Sequence, residues 1–266
     1  MRKLLFIIPV LMVFISCEKV IDIPLNEADQ KVVVEAQLYD IPYESFVKLS
    51  KTGSVYDDGG FEKIIGASVI VSDNMGNTHV FEEQTGEPGL YLDTTFVALP
   101  NRLYTLTVVE NGNTYSAIST VNSDVTLDSL DYILNVGGFG QDPNDTSYFT
   151  FYNFTDNGSE ENYYRALTVV NGEIQTPYLN DDKLFNGNNF RQPFFGDAFG
   201  PGDTLTAYLT SMDKPAYTYF VTLESNQNSG GPFSATPANP VTNIEGGAIG
   251  FFGVFMTDAL TIIFPE

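Results

Sequence analysis

The 266-residue chain has no tryptophan, one cysteine, one histidine and only 12 lysines and arginines against 34 aspartates and glutamates. Each scarcity excludes something. A lone thiol, Cys17, has no partner for a disulfide within its own chain. One cysteine and one histidine also exclude a zinc site built from the usual sulfur and imidazole ligands. A serine–histidine–acid triad would have to use His79, which falls in an expected strand beside a turn and reads as an ordinary strand side chain. A net charge of −22 repels phosphate backbones, whose binding needs lysine and arginine to displace counterions, so no nucleic-acid partner is expected. The acidity reads as a solubility device that also keeps the body off anionic lipid headgroups. Two carboxylates are enough for a glycosidase, but among 34 acids nothing singles out a pair, and the reading is of a non-catalytic protein.

What is present begins with a lipoprotein-like start. Arg2 and Lys3 precede an apolar run from Leu4 to Ile15 interrupted by Pro9, and Phe14-Ile15-Ser16-Cys17 closes it. The run is too short for a bilayer-spanning helix, which needs roughly 20 apolar residues, and has the length of a signal-peptide core. Residues 1–16 are therefore expected to be a signal peptide removed before Cys17, with Cys17 carrying the lipid; a plain secreted protein is the alternative. Residues 17–30 then form a polar tether, broken by Pro24.

The body reads as mainly β. From residue 31 to 121, short β-type runs alternate with turn signals, and Asn111-Gly112 and Asp73-Asn74-Met75-Gly76 should close hairpins. In the run before Asn111, Tyr104, Leu106 and Val108 share one face and Thr105 and Thr107 the other. This region is expected to be an immunoglobulin-like or transthyretin-like β-sandwich. Residues 122–266 form a second β-rich domain with one helix near 213–225, capped by Asp213 and carrying Tyr217, Phe220, Val221 and Glu224 at helical spacing. Ala248 to Phe255 and Ala259 to Phe264 read as two closing strands, and Gly246, Gly247, Gly250 and Gly253 as turn or close-packing glycines rather than a phosphate loop, which would need a helix after them.

The stretch from Tyr178 to Pro201 reads as one long loop. Its Tyr178, Phe185, Phe190, Phe194, Phe195 and Phe199 offer a stacking surface for a glycan or peptide if exposed, and fill a core if buried; the absence of tryptophan weakens the first reading. No cofactor is expected. For structural calcium the candidates are Asp142, Asn144, Asp145, Asp181 and Asp182, although none sits in a twelve-residue calcium loop with its terminal glutamate, and solvated turns are the simpler reading.

Several ordered pieces together carry a family resemblance: Cys17 to Asp22 followed by Val32-Val33-Val34-Glu35, then Lys48-Leu49-Ser50, Ile65-Gly66-Ala67-Ser68-Val69, Leu127-Asp128-Ser129-Leu130, Lys183-Leu184-Phe185-Asn186-Gly187, Ala216-Tyr217-Thr218-Tyr219-Phe220, Pro232-Phe233 and Asn243-Ile244-Glu245-Gly246-Gly247. In this order they resemble the Bacteroidota lipoproteins of domain-of-unknown-function family 4249. The resemblance implies an outer-membrane lipoprotein, held by a lipid anchor and exposed at the cell surface or facing the periplasm. Its relatives often accompany TonB-dependent transporters in nutrient uptake. It brings no catalytic residues to carry over.

Overall fold

A computed structural model describes residues 29–53, 60–121, 124–136, 146–194, 199–227 and 238–266. The expected signal peptide, Cys17 and all but the last two residues of the tether lie outside them. The fold is mainly β with one helix, as expected.

The first unit is a β-sandwich of β1 (Val32–Tyr39), β2 (Phe46–Lys51), β3 (Ser68–Asp73), β4 (Thr78–Glu83), β5 (Leu90–Leu92), β6 (Arg102–Glu110) and β7 (Asn113–Val121). Hydrogen bonds run β1-β2-β5-β4-β3-β6-β7, so β4 joins the two layers. Period-2 patterning sets the inner face: on β6, Tyr104, Leu106 and Val108 are buried and the intervening threonines are half-exposed. Asn111 and Gly112 both take positive φ, 47° and 80°, as a tight primed hairpin turn requires. At the other predicted turn, the Asp73 carboxylate accepts from the backbone N–H groups of Met75 and Asn77 at 3.0 and 2.9 Å and pairs with Arg102.

The second unit packs a sheet of β8 (Leu127–Val136), β9 (Thr146–Thr155) and β13 (Asn189–Pro193) against β10 (Tyr163–Val170), β11 (Glu173–Ile174), β12 (Tyr178–Asp181) and β14 (Thr204–Met212). A continuous core of aromatic and aliphatic side chains, Phe154, Tyr164, Leu205, Leu209 and Phe264 among them, fills the space between.

One strand belongs to both units. β15 (Ile249–Ile263) is continuous over 15 residues where the sequence predicted two strands. Its first half lies parallel to β1, with Val33 opposite Ile249 through Tyr39 opposite Phe255; its second half lies antiparallel to β14, from Met256 opposite Ser211 to Ile263 opposite Thr204. Burial changes with the partner, every residue from Gly250 to Met256 being buried and exposure alternating afterwards. Thr257-Asp258, a polar pair that reads as a break, is instead where the continuous strand passes from one unit to the other. The Asp40 carboxylate accepts from the Thr257 N–H at 3.1 and 3.2 Å, and Asp258 accepts from the Leu127 N–H at 2.8 Å. Phe252, Val254 and Met256 thus sit in the core of residues 31–121, so the first sandwich is not completed by a contiguous segment.

The helix α1 (Lys214–Gln227) lies over this junction. Asp213 caps it, accepting from the Ala216 N–H at 2.9 Å. The inward stripe is Ala216, Tyr219, Phe220 and Leu223, spaced i, i+3, i+4, i+7, with Tyr217 packing beside it; of the four residues expected at helical spacing, Val221, 38% exposed, and Glu224 face outward instead. Among the described residues no helix is long and apolar enough to cross a membrane.

Candidate functional site

The aromatic stretch expected to be a binding loop is mostly built structure. Tyr178 begins β12, Phe190 lies in β13, and Phe199 bridges to Tyr148 of β9. Phe185, Phe194 and Phe199 are buried, and Tyr178 and Phe190 pack against the same core. The Phe185 and Phe190 rings stack at 3.9 Å, and Phe199 stacks on Phe264 at 5.2 Å. The proposed stacking surface is therefore corrected for these five rings, which pack against the core of the second unit; Phe195 lies outside the described residues. A buried acid ties the segment to β10. Asp156, itself buried, accepts from the Tyr164 hydroxyl at 2.6 Å and from the Gly187 N–H at 2.7 Å.

The acidic candidates divide in the same way. Asp182 is buried and accepts from the Asn162 N–H at 2.8 Å, whereas Asp181 pairs with Lys183. Both are engaged within the chain, and no group of three metal-ligating side chains comes together among the described residues. Asp142, Asn144 and Asp145 fall outside those residues. His79 is half-exposed on β4, with Nδ1 at 3.1 Å from Asp93 Oδ2. Among the described residues the hydroxyl in that chain of contacts is Thr95, which donates to Asp93 at 2.6 Å rather than to the imidazole, so the arrangement lacks the order of a nucleophilic triad.

What the fold does assemble is a groove of about 410 Å³ where the two units meet. Its floor is the outer face of the second unit's sheet. The even positions of β10, Tyr164 and Ala166, point into the core, so Arg165, Leu167 and Val169 must point out. Tyr208 and Thr210 of β14 and Thr257 of β15 continue this face, and the Thr210 and Thr257 hydroxyls lie 3.2 Å apart. Tyr39, Ile41 and Glu44, from the end of β1 and the turn after it, form the wall contributed by the first unit; Ile174 of β11 stands at the far end, 73% exposed. Tyr39 is fixed by stacking on Phe255 at 5.1 Å and by donating to Gln37 Oε1 at 2.6 Å.

Arg165 is the distinctive group. Arg102 pairs with Asp73 and Arg191 approaches Asp131 at 3.8 Å, but the Arg165 side chain has no ion pair or hydrogen bond among the described residues. Its Nε is shielded from solvent without an acceptor. The guanidinium carbon lies over the Phe220 ring, 5.0 Å from the centroid. That contact is to the ring face and is no hydrogen bond, so the guanidinium N–H donors keep no acceptor among the described residues. Burial lowers the affinity of the guanidinium for its proton, partly offset by the Tyr39 phenol; burial raises the Tyr39 phenol in turn, against the pull of Arg165. A buried donor left without an acceptor typically costs about 1–3 kcal/mol. The sequence reading passed over Arg165, although an arginine on a strand face with Leu167 and Val169, in a chain this poor in cations, was a legible signal.

The family model described as "Domain of unknown function (DUF4249)" matches residues 18–260. A search of curated proteins finds no match. Among solved structures, a two-domain fibronectin type-III segment from chicken tenascin is 12% identical, covering 90% of this chain and 100% of its own, with a TM-score of 0.25. A score that low carries no argument.

Proposed function

Because this chain belongs to the DUF4249 family, whose description names no activity, we propose its role from its own features: a lipid-anchored, non-catalytic binding or accessory protein of the outer membrane, associated with a TonB-dependent transporter in nutrient uptake. The observation that carries the reading is the basic and apolar start ending at the lone Cys17, ahead of a long β body. The several acyl chains of a bacterial lipoprotein anchor durably, since each buried methylene adds about 0.8 kcal/mol. The transporter association rests on the family resemblance. A chain of net charge −22 suits a tethered protein that stays clear of anionic headgroups and docks on protein.

The test is affinity isolation of the tagged chain from gently solubilised outer membrane, beside a Cys17→Ala control, with mass spectrometry of the co-purifying chains. The expected result is stoichiometric recovery of one transporter with the lipidated protein, and loss of membrane attachment in the control. An absence of lipid on Cys17, or lipidated protein recovered without a partner, overturns the anchor or the accessory role respectively.

A further inference from the structure

We propose that the groove around Arg165 is a binding site for a small monocarboxylate with an apolar body. The cation is the first ground. Arg165 is held over Phe220 with its in-plane donors uncommitted and its Nε shielded from water, and a carboxylate matches that fork with two parallel hydrogen bonds. The surroundings set the charge of the ligand. One guanidinium shares the groove lining with the exposed Glu44 carboxylate, on a chain of net charge −22, so a second negative charge on the ligand meets repulsion rather than a partner.

The remaining lining sets the body. Leu167 and Val169 on the floor and Ile174 at the mouth offer aliphatic surface, and the Thr210 hydroxyl stands beside Arg165 in register across β10 and β14. A volume of about 410 Å³ lies in the ordinary range for small-molecule pockets. Short fatty acids and the C-terminal residue of a peptide share this chemistry. The inference needs neither the lipid anchor nor a transporter, so its failure and theirs are separate events.

The test uses the purified full-length chain and isothermal titration with hexanoate and N-acetylleucine, each beside its neutral counterpart, hexanol and N-acetylleucinamide. Both acids are expected to bind at least about 10-fold more tightly than their counterparts, the worth of one charge-assisted contact. Arg165→Met should abolish that preference while the protein remains folded by near-ultraviolet circular dichroism, since it removes an unpaired charge from a half-buried site. Glu44→Gln should tighten the acids about threefold, a sign that a merely structural arginine does not produce. Should Arg165→Met not fold, Ile174→Asp at the exposed mouth is expected to weaken both acids several-fold with an unchanged melting temperature. The stronger of the two acids identifies the source. Equal binding of acids and neutral counterparts, no binding of either acid at 10 mM (about 2.7 kcal/mol of affinity), or acid binding unchanged in folded Arg165→Met overturns the proposal.

Discussion

At Gly250 the backbone takes φ +107°, and a Cβ placed there would stand 2.0 Å from the Val34 carbonyl oxygen. Strand β15 can therefore run beside β1 only with glycine at this point, and Gly250→Ala is expected to destabilise the protein by about 3 kcal/mol or more, measured by denaturant unfolding. Gly246 is similar, a Cβ there reaching 2.4 Å from the Thr114 oxygen of β7. The sequence marked these glycines as packing devices, but not which strands they admit. Asp213 carries a second single-residue consequence. One carboxylate oxygen caps α1, and the other accepts from the Ser119 hydroxyl at 2.7 Å and the Thr120 N–H at 3.1 Å. Ser119 in turn accepts from the Val254 N–H at 3.0 Å, so helix, β7 and β15 meet at one acid. Burial raises the affinity of Asp213 for a proton, more than its hydrogen bonds lower it. The folded state then holds a proton that the unfolded chain has released, so this group favours folding at low pH and loses that contribution as pH rises from about 3.9 through the raised folded value. The stability difference between the protein and Asp213→Asn should shift in that direction over that interval, by thermal melts across pH; a difference flat with pH refutes it. Asp213→Ala removes the cap as well and should lower stability by about 2 kcal/mol.

Among the elements, β15 and the segment from Tyr178 to Pro201 depart furthest from the sequence reading, each for its own reason. Period and turn composition report whether a residue faces a core, not which core. In β15 the apolar run ends at Met256 because the neighbour changes from β1 to β14, and the polar side chains of Thr257 and Asp258 serve the junction, the first pairing with the Thr210 hydroxyl and the second accepting from the Leu127 N–H. Asp40→Ala, which leaves the Thr257 N–H without its carboxylate, is expected to cost about 1–3 kcal/mol and to speed hydrogen exchange at Thr257 more than at Val254. The aromatic segment misleads for the opposite cause: its asparagines, glycines and aspartates read as loop, while β12 and β13 are too short to show a period and take their order from pairing with β10 and β9. By contrast the existence and start of α1 were legible, since its cap and its proline in the first turn are local signals, although of its inward stripe the sequence reading held only Phe220.

For the whole molecule the shared strand ties the two cores into one mechanical unit. Phe252 and Val254 complete the first core, Leu260 and Ile262 pack on the second, and Phe251 and Phe255 pack beneath α1. Both sandwiches are therefore expected to unfold in a single calorimetric transition, and Phe255→Ala, a loss of about 3–5 kcal/mol, should shift it without splitting it; two resolved transitions would show the units to be independent. The sequence by itself determined the mainly β class, the inner face of β6, the hairpin at Asn111-Gly112 and the capped helix, because each depends on residues near one another in the chain. Tertiary structure alone decided that β1 takes as its parallel neighbour a strand more than 200 residues away, that the aromatic segment faces inward, and that Arg165 shares a groove lining with Tyr39 and Glu44. Backbone hydrogen-bonding groups are alike in every strand, so local pattern cannot name a distant partner; only the joint packing of both cores selects it.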